Sequence, residues 1–106
     1  MISTHILDTG LGKPATNVVV ELYNDQGECL AKALTNQDGR VSDFGLTTFT
    51  TGNYSLVFYT ADYFEVLELD TFFPKAVIHF SIANASQHYH IPLLISPFAY
   101  STYRGS

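Results

Sequence analysis

Short runs of alternating apolar and polar residues, each closed by turn chemistry, recur along this chain and leave little room for anything but a β fold. Ile2–Asp8 alternates, and Thr9-Gly10-Leu11-Gly12-Lys13-Pro14 then supplies glycines for positive φ and a proline that fixes its own. Asn17–Tyr23 has a β-branched centre, Val18-Val19-Val20, and Asn24-Asp25-Gln26-Gly27 turns it into Cys29–Thr35. A second turn, Asn36-Gln37-Asp38-Gly39, precedes a short strand that begins at Arg40, and Leu46–Gly52 is a Thr-rich loop. Asn53–Tyr59 points Tyr54, Leu56 and Phe58 to one side. One helix interrupts the series: Thr60 can cap it, Asp62 suits its first turn, and Tyr63, Phe64 and Leu67 give it a face. Pro74 precludes its continuation. Lys75–Ala83, His88–Ile95 and Phe98–Arg104 complete the set. Seven or eight short strands with one short helix predict an all-β sandwich of two sheets.

At 106 residues the chain is expected to be a single domain, 1–106, large enough for a real core. It is 46% hydrophobic but only 14% charged, a low charge content for so small a domain. Some apolar surface is therefore expected to lie against a partner chain. The net charge of −5 disfavours nucleic acid and anionic membranes, which attract basic patches. A lone cysteine, Cys29, excludes an internal disulfide and suits a reducing, cytoplasmic compartment. The opening MISTHILDTG has neither the basic start nor the apolar run of a signal peptide, and no stretch is long enough for a membrane helix.

The last nineteen residues raise the functional question. In HYHIPLLISPFAYSTYRGS, the side chains of Tyr89, Ile91, Leu93 and Ile95 share one face, with Tyr100 assigned to the same core. His88, His90, Pro92 and Leu94 share the other. In the first strand Thr4 and Ile6 oppose His5 and Leu7, and in the last Tyr100 and Thr102 oppose Ser101 and Tyr103. If these strands share a sheet, their outer faces pool His5, Leu7, His90, Pro92, Leu94, Ser101 and Tyr103, a mixture that suits a subunit interface containing a polar site. Alternatives stand beside this one. The histidines could be scattered surface groups, or His88 and His90 could ligate a metal with His5 or His79 as a third donor. Arg40 could be an ordinary turn arginine, and Cys29, without a basic neighbour, a small strand residue. TGLGKP lacks the spacing of a phosphate loop, and no GxSxG elbow is present.

STHILDTGLGKPA (Ser3–Ala15), TNQDGR (Thr35–Arg40) and the HYH…YRGS ending together resemble the signature blocks of the 5-hydroxyisourate hydrolases of the transthyretin-like family. The likeness runs from near residue 3 to residue 106, and YRGS distinguishes the hydrolases from the hormone carriers of the same family. Ala99 and Phe73 depart from the common pattern, where glycine and tyrosine are usual. The resemblance implies a transthyretin-like two-sheet sandwich with one short helix, assembled as a homotetramer with sites at the dimer–dimer interface. It implies catalytic roles for His5, Arg40, His90 and Ser106, with Tyr103 beside them at the substrate, and no metal or organic cofactor. The implied reaction adds water to a ring carbonyl of 5-hydroxyisourate and breaks a C–N bond. The residue types fit such chemistry. Histidine is a base near neutrality, and the planar fork of Arg40 can hold two oxygens of a flat, carbonyl-rich ring. His90 is taken as the base and His5 as its partner. Ser106, at the end of the sequence, offers a hydroxyl and a carboxylate. A small-ligand carrier using the same channel is the alternative function.

Overall fold

The computed structural model describes residues 1–106 and contains nine strands and one helix. One sheet holds β1 (Ile2–Asp8), β2 (Lys13–Pro14), β5 (Arg40–Val41), β8 (Tyr89–Ser96) and β9 (Ala99–Thr102), with β2 and β5 side by side along one edge of β1. The other has the order β4 (Cys29–Leu34), β3 (Val19–Asn24), β6 (Gly52–Phe58), β7 (Ala76–Ile82). The pairings are antiparallel except one. β1 and β8 run parallel over seven residue pairs, from Ile2–Tyr89 to Asp8–Ile95. A parallel pair cannot be closed by a hairpin, so the intervening chain builds the whole second sheet before returning.

Parity decides what is buried. Ile2, Thr4, Ile6, Tyr89, Ile91, Leu93 and Ile95 face inward and meet Val20, Leu22, Tyr54, Leu56 and Phe58 from the other sheet. The inward hydroxyl of Thr4 donates to the carbonyl of Ile91 at 2.5 Å, which satisfies it inside the core. Asp8, also buried, accepts from the amides of Gly10 and Leu11 and from the hydroxyl of Tyr63 on α1 (Thr60–Val66). That last bond, at 2.7 Å, ties the helix to the end of β1.

Several local expectations need correction. The glycine-rich stretch after Asp8 is not all turn, because Lys13 and Pro14 pair with Asp8 and Leu7 as β2. Proline is tolerated at such an edge, where no partner needs its amide. β3 begins at Val19, since Asn17 adopts a positive φ of 59° and the amide of Val18 donates to the hydroxyl of Thr35. Tyr59, not Thr60, is the helix N-cap, and it makes no side-chain cap bond. The helix stops well before Pro74. Glu68 turns left-handed, and the amides of Glu68 and Leu69 close back on the carbonyls of Glu65 and Phe64. Tyr100 has core parity but lies on the edge strand, exposed, with its ring edge-on to Phe73.

Candidate functional site

Arg40 owes its position to the turn before it. The side-chain oxygen of Asn36 accepts from the amides of Asp38 and Arg40, and the Gly39 amide closes on the carbonyl of Asn36. Gly39 has φ +72°, and a Cβ there would stand 2.5 Å from the carbonyl oxygen of Ile6 and 2.9 Å from Pro14. Only glycine lets this turn press against β1. Pressed there, Gly39 accepts a bond from the amide of Ile6, and β5 pairs with β1 so that Arg40 stands opposite His5.

The other half of the site comes from the parallel pair. Its register sets Ser3 opposite His90 and His5 opposite Pro92. Ser3 is on the outer face yet only 5% exposed, because two rings cover it. Its Oγ lies 2.7 Å from Nε2 of His88 and 2.8 Å from Nδ1 of His90. The end of the chain then folds back over His90. Gly105 forms a β-bridge with it and donates its amide to the His90 carbonyl at 2.9 Å. A Cβ on Gly105 would fall 2.5 Å from Cδ2 of the His90 ring and 3.1 Å from Pro92, so this glycine is required by close approach and not by backbone angle. Arg104 lies with its guanidinium carbon 4.6 Å from the centre of the Tyr89 ring and donates to the side chain of Gln87.

Ser3, Thr4, Arg40, Ser42, His88, His90 and Ser106 line an open hollow of about 200 Å³, with no apolar residue among them. Three of the residues singled out in the sequence, Arg40, His90 and Ser106, thus meet around one space. His5 lies beside that space, across the β1–β5 pair from Arg40, and Tyr103 extends past β9, 60% exposed; neither lines it. Burial lowers the pKa of His90, and Arg40, His88 and His5, all basic, lower it further. His5 is lowered in the same way, first by burial and then by Arg40, against a smaller upward pull from the carbonyl and carboxylate of Asp38. Both imidazoles are therefore biased toward the neutral form beside a permanent cation. That pairing provides two proton acceptors and one fixed positive charge on a single face.

His79 belongs to the other sheet, on β7, and cannot join His88 and His90 as a third ligand. A larger hollow of about 440 Å³ lies on that sheet, lined by Tyr23, Tyr59, Lys75 and His79 among others, away from the cluster of basic groups. Four members of the polar hollow were not singled out as site residues: Ser3, Thr4, Ser42 and His88. His88 shares the outward parity of His90, which was the one available signal. Ser3 sits inside the STHILDTGLGKPA block, but its partners lie 85 and 87 residues away.

Residues 2–105 match the model of the HIUase/Transthyretin family. The chain is similar to a curated 5-hydroxyisourate hydrolase of Pseudomonas aeruginosa, 44% identical with 99% of this chain and 90% of that protein covered. It is likewise 43% identical to 5-hydroxyisourate hydrolase 2 of Rhizobium meliloti, with 99% and 95% covered. Among solved structures, the 5-hydroxyisourate hydrolase of Klebsiella pneumoniae superposes with a TM-score of 0.92 at 41% identity, covering 99% of this chain and 98% of that one. Transthyretin from Sparus aurata superposes nearly as well, TM-score 0.91, at only 26% identity, with 98% and 95% covered.

Proposed function

This chain belongs to the HIUase/Transthyretin family, and from that premise we propose that it is a hydrolase that opens the ring of 5-hydroxyisourate. The product would be 2-oxo-4-hydroxy-4-carboxy-5-ureidoimidazoline, on the way from urate to allantoin. The relatives named 5-hydroxyisourate hydrolase are covered over 90–98% of their length, which supports reading residues 1–106 as one catalytic unit. The observation that carries the proposal is the wholly polar hollow that His90 and Arg40 line together. A carrier for an apolar ligand would be lined otherwise.

In the proposed route Arg40 holds the substrate through two oxygens and steadies the oxyanion that forms when water adds to the ring carbonyl. His90 takes the water proton at Nε2, the ring nitrogen with no bond inside the chain, and His5 returns a proton to the departing nitrogen. Ser106 lines the hollow and binds the substrate ring there, and Tyr103, exposed beyond β9, reaches the substrate only in the assembled protein. The route uses no metal or organic cofactor. The protein works as a homotetramer whose sites lie between dimers. Supporting this, half-buried Leu7 and Leu94 share the outward parity of His5 and His90, Tyr103 is exposed, and Phe72 and Phe98 are 72% and 67% exposed near β9. A cytoplasmic location is proposed from the single exposed thiol, Cys29, and no helix is long and apolar enough to cross a membrane.

The test is direct. Generate 5-hydroxyisourate with urate oxidase and follow its absorbance with and without the protein, with and without EDTA. Accelerated decay that survives EDTA supports the proposal. An unchanged decay curve overturns it, and loss of activity to EDTA overturns the metal-free route.

A further inference from the structure

Ser3 is the most constrained polar side chain of the face. It is buried, and its Oγ stands between two imidazole nitrogens, 2.7 Å from His88 and 2.8 Å from His90. The two rings do not touch each other; their centres are 6.3 Å apart and tilted by 54°. A serine hydroxyl has one proton to give. The arrangement that satisfies all three groups has Ser3 donating to one ring nitrogen and accepting from the other. Two such arrangements exist. In one, Nδ1–H of His90 donates to Ser3 and Ser3 donates to Nε2 of His88, which leaves Nε2 of His90 bare. In the other every bond is reversed, and Nε2 of His90 carries the proton.

We propose that Ser3 and His88 are positioning residues that relay a proton away from His90, with Ser3 as the bridge and the exposed ring of His88 as its store. In the first arrangement the bare Nε2 of His90 takes a proton from the attacking water. The Nδ1 proton passes to Ser3 Oγ, and the Ser3 proton passes to Nε2 of His88. His90 ends neutral with its proton on Nε2, His88 ends as imidazolium, and one hydroxide equivalent has been delivered to the carbonyl. Both rings are reset when the proton on Nε2 of His90 passes to His5, which gives its other ring proton to the leaving nitrogen, and the relay through Ser3 runs in reverse. The charge and titratable groups that face His90 are Arg40 from β5, His5 from β1 and His88, each of them basic. A proton left on His90 would be repelled by all of them, whereas His88 is at the surface, where water screens the charge. The kinetic side of the relay rests on the hydrolase reading; the coupling of the two rings does not.

Two measurements test it. The first is enzymatic. His88→Gln keeps an amide that can hold Ser3 but cannot accept a proton, and as a surface change it leaves the fold intact. It should lower kcat by about a hundredfold with little change in KM, the low end of what a lost proton-transfer group costs. The solvent proton inventory should change from bowed to linear. Ser3→Ala should behave alike, and the double variant should be no worse than either single one. Wild-type kcat with an unchanged inventory in His88→Gln, or additive losses in the double variant, would overturn the relay. The second is independent of activity. Long-range proton–nitrogen spectra of the histidine rings should show His88 and His90 sharing their titration steps in the wild-type protein and titrating separately in Ser3→Ala. Separate titration in the wild type refutes the coupling. Shared titration in a protein that leaves 5-hydroxyisourate decay unchanged would mean that the hydrolase reading, and not the coupled pair, is wrong.

Discussion

Gly105→Ala should weaken the site while sparing the fold. The tail after β9 is held down by few contacts. Its one main-chain bond, Gly105 to the His90 carbonyl, contributes about 1 kcal/mol. Arg104 over Tyr89 adds about 0.5–1 kcal/mol, and its exposed bond to Gln87 adds little. Docking of the tail is thus favourable by about 2 kcal/mol, enough to keep it down nearly all of the time. An alanine Cβ would enter at 2.5 Å from one atom of the His90 ring, 3.3 Å from another and 3.1 Å from Pro92. His90 cannot swing away without breaking its bond to Ser3, so the tail must yield. The upper half of an overpacking cost of about 1–3 kcal/mol then matches or exceeds what holds the tail. At about 2–3 kcal/mol the docked fraction falls to between about one half and one sixth, by the rule of tenfold per 1.4 kcal/mol. With Ser106 needed in the hollow, kcat/KM should fall about two- to sixfold. Gly105→Val, with a larger intrusion, should fall further. The assay is urate-oxidase-coupled decay of 5-hydroxyisourate, with thermal melting alongside to show an unchanged core. Full activity in a normally melting Gly105→Val protein would refute the idea that the tail helps to build the site.

The remaining expectations follow from the same geometry. Arg40→Lys keeps the charge and loses the fork; removal of one oxyanion donor costs about 3 kcal/mol in comparable sites, so turnover should fall about a hundredfold with an unchanged melting temperature. Near-normal turnover would return Arg40 to the status of a turn residue. The lowered pKa values of His5 and His90 place the acid limb of kcat/KM below the ordinary histidine value of 6.5, and Arg40→Gln should move both ring titrations upward in NMR spectra. The sign for stability follows. Between the folded pKa and 6.5 the unfolded chain binds more protons, so stability present above that window is lost as pH falls through it, and melting temperature should decline on acidification below 6.5. Light scattering should show a tetramer; a monodisperse and fully active monomer would remove the interface reading of the outer face.

What the sequence revealed of this site divides by the kind of information each residue needs. Parity is local. It placed His5 and His90 outward and Tyr89, Ile91 and Leu93 inward from the alternation alone, and each of these assignments matches the burial observed. Register is not local. That Arg40 stands beside His5 depends on a two-residue strand, β5, reaching β1 over a glycine that nothing in the alternation marks as special. That Ser3 stands beside His90 depends on a parallel pairing of strands at opposite ends of the chain. His88 has the outward parity of His90, which alternation shows, but its bond to Ser3 is between residues 85 apart and nothing local marks it. Tyr100 failed in the opposite sense: its parity is that of the core, but an edge strand has too little covering it to use that parity. The family resemblance supplied Arg40 and Ser106, which alternation could not. One physical consequence joins these cases. Because β1 and β8 run parallel, their pairing waits on the whole intervening chain, and Ser3, His5 and His90 come together only when both sheets are complete. No local fragment can therefore hold the site, and loss of the inter-sheet core should abolish the Ser3–His90 contact and the Arg40–His5 juxtaposition together.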